Sequence, residues 1–509
     1  MTKTTERLDT QVIVVGAGPV GLMLAGELRL GGADVTVLER RPRITEESRA
    51  STLHARTMEI FDSRGLLTAL GTPPNERRGH YGGIPMDLTL PSTYPGQWKV
   101  PQYRTERLLQ NWALTLGADI RRRWEVRELT DDGDSVQVTA DTPQGTARVR
   151  GAYLVACDGE DSTVRTRTGV GFPGRSTARE LLRADVTGLD VPDRRFERLP
   201  HGLAIAARNA EGVTRIMVHE FGRGRAPRTH APDFAEVCDV WHRVTGEDIS
   251  HGKAIWVNAF GDANRQVTAY RHGRVLFAGD AAHQQMPVGG QALNLGLQDA
   301  VNLGWKLALH VNHRAPVGLL DTYHDERHAV GARVLANVRA QSLLLLGGAN
   351  VAPLRTLMSE MVSVERSRTR LAGLISGLDI RYPVGAGDDP LLGARLPDTV
   401  LTAPNGTTTT TTLLRTGRGL LIGFTGDLTA PLYEIAGRWA DRVMTVPARP
   451  VADAPLAGRG AVLVRPDGHV AWSGSDHDVS LATALRRWFG PPGRAAENQT
   501  RGEVSWTRM

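Results

Sequence analysis

Hydrophobic and polar positions along this chain follow strand-like and helix-like periods in turn. Near the N-terminus the run QVIVV (11–15) is followed by a glycine-rich turn, GAGPVG. A helix-period stretch, LMLAGELRLGG, comes next, and then a second apolar run, DVTVLER. Strand, helix and strand within about thirty residues predict a parallel βαβ unit. Two more apolar strands, GAYLVACDG (151–159) and GRVLFAGD (273–280), have the same character. Between them the segments LLRADVTGLDV, HGLAIAARN, VTRIMVHEF and KAIWVNAF carry the alternation of half-buried strands. They predict a mostly antiparallel sheet inserted into the parallel one.

After residue 290 the period becomes helical, from LNLGLQDAVNLGWKLALHV to about residue 380. A last region begins near PLLGARLPD. Its threonine run, Thr407 to Thr412, reads as a flexible loop. GRGLLIGF, DRVMTVPA and GAVLVRPDGHVAWSG follow as strands, the last folded back at PDGH, and LATALRRWFG closes the region as a helix. That order resembles a thioredoxin-like module with no CxxC for dithiol chemistry.

The expected fold class is therefore α/β. A Rossmann-like dinucleotide-binding domain with a helical extension occupies 1–175 and 271–390. A β-rich insertion, the candidate substrate domain, occupies 176–270, and the thioredoxin-like domain 391–509. Two or three domains suit 509 residues.

Composition narrows this picture by exclusion. Cys157 and Cys238 are the only cysteines, far apart, so no disulfide scaffold, cysteine zinc site or iron–sulfur cluster is expected. No ligand spacing suggests any other metal. The net charge of +6 is carried almost wholly by arginine, without a dense basic tract, so nucleic acid is not an expected partner. No apolar run suggests a bilayer span, and the polar start MTKTTERLDT does not read as a signal peptide. The expectation is a cytoplasmic protein, monomer or homodimer.

Gly16, Gly18 and Gly21 stand in GxGxxG spacing directly after a strand. The first allows the tight turn, the second lets a pyrophosphate approach the backbone, and the third lets helix and strand pack closely. The helix N-terminus then faces phosphate charge. Glu39 ends the next strand, where an acid binds ribose hydroxyls and disfavours a 2′-phosphate, so the expected tight nucleotide is NAD or FAD. Asp158 and Asp280 sit beside glycines at two further strand ends. Three such termini around one ligand favour FAD, whose ribityl chain and ring run beyond the pyrophosphate. Asp280 suits ribityl hydroxyls, and the helix starting near Gly290 can meet the pyrimidine end of the ring, which becomes negative on reduction.

These motifs match a family. GAGPVG with Glu39 and Arg40, SRASTLHARTMEIFD (48–62), VPQ (100–102), DGEDSTVR, and GDAAHQQMPVGGQALN with DAVNLGWKL resemble the class A flavoprotein monooxygenases of the p-hydroxybenzoate-hydroxylase-like group. The likeness is strongest to the branch acting on aromatic polyketides and rifamycins. It implies that Val20, Glu39, Arg40 and Val126 serve the adenosine and pyrophosphate side of FAD. Arg49 would lie near the isoalloxazine, with Gln102 and Asp280 at the ribityl chain. Leu293 and Asn294 would present backbone N–H to the ring, and Pro287 would direct the substrate or the peroxide. Asp158 and Arg165 belong to a motif serving FAD and NAD(P)H.

The implied reaction is reduction of FAD by NADPH or NADH, formation of a flavin C4a-hydroperoxide with O2, and oxygen transfer to a large polycyclic aromatic substrate. Baeyer–Villiger insertion into a ketone, antibiotic inactivation of the rifamycin type, and a non-catalytic flavin-binding accessory protein remain alternatives.

One position departs from the family's GGQGxN: Ala292 replaces a glycine. It would cost about 1 kcal/mol only if its φ were positive. His54, expected on a helix with Met58, and Trp256, alternating with Asn258 and Phe260, are substrate-wall candidates as well as core candidates. His283 reads as a polar group near a helix N-cap, and Cys157 as an inert strand residue.

Overall fold

A computed structural model describes residues 6–45, 50–224, 230–424, 430–451, 454–475 and 480–493. Arg49 therefore lies outside the described residues. The chain divides into two compact units. The first is Met1–Val311 with Leu320–Ile380, and the second is Asn312–Leu319 with Arg381–Met509.

The first unit is built on the expected βαβ start. Strand β1 (Glu6–Val15), helix α1 (Pro19–Leu30) and strand β2 (Val35–Glu39) form a parallel pair with the helix as crossover. All five residues of β2 are buried, as a strand covered on both faces requires. β1 then pairs in parallel with β3 (Gly145–Ala156), which pairs in parallel with β4 (Val275–Phe277). Asp119–Arg122 adds a parallel strand beyond β2. The apolar residues of β1 to β4, from Val12 to Phe277, share one core with α1. Each such buried side chain stabilises by roughly 1.5–3 kcal/mol. Gly16 and Cys157, just past the ends of β1 and β3, lie side by side as a consequence of the parallel register.

Glu180–Thr187, Arg194–Leu199, Gly202–Arg208, Thr214–Glu220 and Lys253–Gly261 form a five-stranded, wholly antiparallel sheet within the first unit. Leu182, Ala184 and Val186 on its first strand bury one face against the helix Phe234–Thr245. That helix is capped by Asp233, whose side chain accepts from the Glu236 N–H at 2.9 Å, and it stops at Gly246 in the left-handed region. The alternation leaves Arg183 on the opposite face.

The helical region consists of α2 (Gln291–Val311), α3 (Asp321–Leu346), Ala352–Ser363 and Glu365–Ser376. By length and composition α3 is apolar enough to cross a membrane, contrary to the expectation that no such run exists. Most of its apolar stretch is buried in the protein, so here it serves as a core helix.

In the second unit Gly419–Gly423 pairs in parallel with Val443–Pro447 and antiparallel with Ala461–Val464, which pairs antiparallel with Val470–Gly474. The last two join at the expected turn, where Gly468 has φ 79°. The threonine run is not a loop. Gly406–Thr409 is a strand paired with Val400–Ala403, and Thr410–Leu413 is a short helix. β-branched threonines suit a strand, and the Thr409 hydroxyl caps the helix by accepting from the Thr412 N–H at 3.1 Å.

Candidate cofactor and substrate site

The carboxyl ends of β1, β2 and β3 open on one cavity of about 830 Å³ in the first unit. The three glycines of GAGPVG divide their tasks there. Gly16 has φ 104°, and a Cβ on it would stand 2.3 Å from the Cys157 carbonyl oxygen. A Cβ on Gly21 would stand 2.0 Å from the Gly16 carbonyl oxygen, so this glycine packs the turn and does not line the cavity. Gly18 is different: it lines the cavity, and a Cβ there would meet nothing within 4 Å. It is also the N-cap of α1, with no side chain capping the helix and no acid in its first turn. An open, uncapped helix N-terminus beside a cavity suits a diphosphate.

Glu39 lines the cavity beside this turn. Its carboxylate accepts from the Ala17 N–H at 2.7 Å and from the Arg41 N–H at 2.8 Å. The acid is thus fixed in place while each oxygen keeps a lone pair for a ribose hydroxyl. Arg40, Val20 and Val126 line the same cavity. So does Gln102, whose amide accepts from the Ala50 N–H at 3.2 Å and donates to Glu106 at 2.7 Å. Burial pushes the Glu106 carboxyl up from its ordinary value.

Asp158 follows β3 and lines the cavity. Its Oδ2 accepts from the Val164 N–H at 3.1 Å, its buried Oδ1 meets no partner at hydrogen-bonding geometry, and burial pushes its carboxyl up. A ligand N–H or hydroxyl would satisfy that oxygen. Arg165 reaches across to accept no bond but to donate two, to the Ala281 carbonyl at 3.0 Å and to the Glu160 carbonyl at 2.5 Å, while its guanidinium lies 3.9 Å over the Phe172 ring. It ties the DGEDSTVR segment to the GDAAH loop.

That loop is held from below by residues the sequence reading passed over. Asp299 on α2 accepts from the Gly279 N–H at 3.1 Å, bonds His283 Nε2 at 2.8 Å and pairs with Arg327 of α3 at 2.7 Å. All three side chains are buried. Burial alone would push the Asp299 carboxyl up, but Arg327 and His283 hold it below the usual carboxylate range. His283 is thus not a helix-cap residue. It sits on the strand His283–Gln285 as part of this network, while exposed Asp280 faces the cavity.

Beyond the loop, Pro287, Ala292 and Leu293 line the cavity where α2 begins. The left-handed positions are Gly289 (φ 66°) and Gly290 (φ 69°), both glycine. Ala292 lies in the first turn of α2, outside the positive-φ residues, and carries no backbone strain. Gly290 and Asn294 do not line the cavity. The Asn294 side chain accepts from the His54 N–H at 2.8 Å and the Thr57 hydroxyl at 2.6 Å, and donates to the Thr52 and Gly290 carbonyls. It fastens the turn before α2 to the segment 52–57.

His54 also lies outside the lining. It ends the strand Thr52–His54 and is the N-cap residue of the helix Ala55–Asp62, with a Gly290 Cβ position only 3.3 Å from its Nε2. Burial, aided by Lys99, pushes its imidazole down to about 4, so it is neutral.

The antiparallel sheet supplies the remaining wall through Arg183, Asn258 and Phe260. Trp256 stands behind Arg183, whose guanidinium lies 4.3 Å over its ring. Arg183, like Asp299 and Arg327, is missed from sequence. The signal was there in LLRADV, an arginine alternating with core residues on a strand.

This arrangement defines a flavoprotein-type enzyme: a dinucleotide turn, three strand ends and a helix N-terminus around one cavity, closed by a second sheet. Residues 9–338 match the FAD binding domain family, and residues 389–492 match the aromatic-ring hydroxylase C-terminal family. The chain belongs to the FAD-binding aromatic-ring hydroxylases and is an FAD-dependent aromatic monooxygenase. It is 42% identical to the 12-dehydrotetracycline 5-monooxygenase/anhydrotetracycline 6-monooxygenase of Streptomyces rimosus, over 94% of this chain and 99% of that one. It is 41% identical to a rifampicin monooxygenase of Streptomyces venezuelae (94% and 98%) and 38% identical to a dialkyldecalin synthase of Streptomyces rugosporus (95% and 100%). Among solved structures, CabE, an aromatic hydroxylase from angucycline biosynthesis, is 50% identical with a TM-score of 0.91, covering 95% of this chain and 100% of that one.

Proposed function

We propose that this chain hydroxylates a fused, polyketide-like aromatic substrate with NAD(P)H as electron donor and O2 as oxidant. The observation carrying this reading is the single cavity that runs from the dinucleotide turn at Gly18 to the sheet wall at Arg183, with Pro287 and Leu293 between. FAD, when bound, would supply the redox chemistry that couples NAD(P)H to O2. The chain's residues would hold and tune it. Gly18 and the N-terminus of α1 would take the diphosphate, Glu39 ribose hydroxyls, and Asp158 and Asp280 hydroxyls along the chain of the cofactor. The N-terminus of α2 would favour negative charge at the pyrimidine end of the ring. Pro287 orients the substrate, and Phe260 with the Arg183–Trp256 stack keeps water from the reacting face. Arg49 is assigned to the ring on family likeness alone.

The second unit we infer to be a thioredoxin-like module. The support is its strand order, with the parallel pair central and edge and the antiparallel pair beyond. NADPH consumption tests the reading: hydroxylation requires a fused phenol to accelerate it, with product formed in proportion.

A further inference from the structure

Polar side chains line the sheet side of the cavity. Arg183 and Asn258 are register partners on neighbouring antiparallel strands, so their side chains rise from the same face. Arg183 is 4% exposed, and its guanidinium lies 4.3 Å over Trp256 and 5.8 Å from the centre of Phe260. Two rings flanking position 258 thus fix its plane. Asn258 Oδ1 is buried with no hydrogen-bond partner. Gln285, two residues before Pro287, lines the same cavity and has both Oε1 and Nε2 buried and unpartnered. Buried amides are rarely left so in folded proteins unless a ligand or ordered water completes them. Here three such atoms and a preoriented guanidinium line one space whose other lining includes Ala259, Phe260, Ala263 and Leu293.

We propose that Arg183, Asn258 and Gln285 form a recognition set for the oxygen substituents of the aromatic substrate. Arg183 donates to a carbonyl or phenolate oxygen, Asn258 Oδ1 accepts from a ring hydroxyl, and the Gln285 amide donates and accepts at a second oxygenated edge. The ligand class this set selects is a fused ring system bearing neighbouring hydroxyl and carbonyl groups, a hydroxyquinone edge. A plain hydrocarbon or unsubstituted quinone of equal size would leave the buried amides unpaired, and it is against such ligands that the set discriminates. The proposal rests on the reading of this cavity as the oxygenase's substrate site.

The test is equilibrium binding of quinizarin, a dihydroxyanthraquinone, and of anthraquinone to the FAD-loaded protein, read by ligand absorbance and flavin fluorescence. Wild type should prefer quinizarin by at least about tenfold. Asn258→Leu and Gln285→Met should each reduce that preference several-fold, with anthraquinone binding unchanged or tighter. Arg183→Met should in addition abolish any red shift of bound quinizarin. Equal binding of both quinones by wild type, or a preference surviving in all three variants, would overturn the proposal while leaving the oxygenase reading intact. So would loss of FAD from the variants with quinone preference retained, since the groups would then serve the cofactor. Wild-type protein that retains no FAD would overturn the reading beneath it.

Discussion

At the scale of single residues, GAGPVG makes a sharp prediction because its three glycines are needed for different reasons. Gly18 has room for a methyl group in the folded protein, and Gly21 has none. Gly18→Ala should therefore fold with nearly unchanged FAD-free Tm and lose FAD affinity by about tenfold or more, because the Cβ points where the diphosphate must approach. Gly21→Ala should lose roughly 1–3 kcal/mol of stability through overpacking, measured by thermal unfolding of the FAD-free protein. His54 supplies the pH dependence. Its folded value of about 4 lies below the ordinary 6.5, so below pH 6.5 the unfolded chain takes up a proton that the folded chain refuses. Stability should fall as pH drops from 6.5 toward 4, by up to about 3 kcal/mol from this residue. Urea unfolding at pH 7.5 and 5.0 should show that loss in wild type and a smaller one in His54→Leu. His80, also pushed down to about 4 by burial, retains its own share.

At the scale of elements, the cavity depends on contacts between α2 and α3 that touch no ligand. Asp299 anchors Gly279 and His283 and pairs with buried Arg327, so Asp299→Asn leaves a buried guanidinium without its counter-charge. The expected cost is about 3–5 kcal/mol, with FAD content falling as the GDAAH loop loses its anchor. Asp299→Leu combined with Arg327→Met should cost less than the sum of the single changes, which a double-mutant cycle by thermal unfolding would measure. The elements themselves were largely legible. Glycines after apolar runs marked β1 and α1, and alternation marked the sheet that carries Arg183. What escaped was long-range pairing. Nothing local to His283 says that Asp299, itself paired with Arg327, will meet it, so its polarity read as a cap. The threonine run misled for the opposite reason, since low complexity hid a β-branched strand and a good N-cap.

At the scale of the whole molecule, every lining residue of the cavity lies in the first unit, and both cysteines do as well. Burial raises the Cys157 thiol well above its ordinary value, and Cys238 is raised too. A chain with no CxxC and no easily ionised thiol needs no dithiol step. NADPH oxidation by the FAD-loaded protein should survive iodoacetamide at neutral pH with little loss, and Cys238→Ser should match wild type. A large inactivation would show that a thiol takes part. The candidate site was legible in its cofactor half, where motifs are local and contiguous. Its proposed substrate half was not, because Arg183, Asn258 and Gln285 are distant in sequence and come to line one cavity only in the folded chain.

The measurement that bears most directly on the account is oxygen-isotope incorporation. The FAD-loaded protein would be given NADPH, a panel of fused hydroxyquinones and oxygen-18 gas, with products read by mass spectrometry. The account predicts one heavy oxygen atom in the ring product of at least one substrate, with NADPH consumed in proportion. Stimulated NADPH consumption that ends only in hydrogen peroxide across the panel, or product oxygen drawn from water, would contradict it.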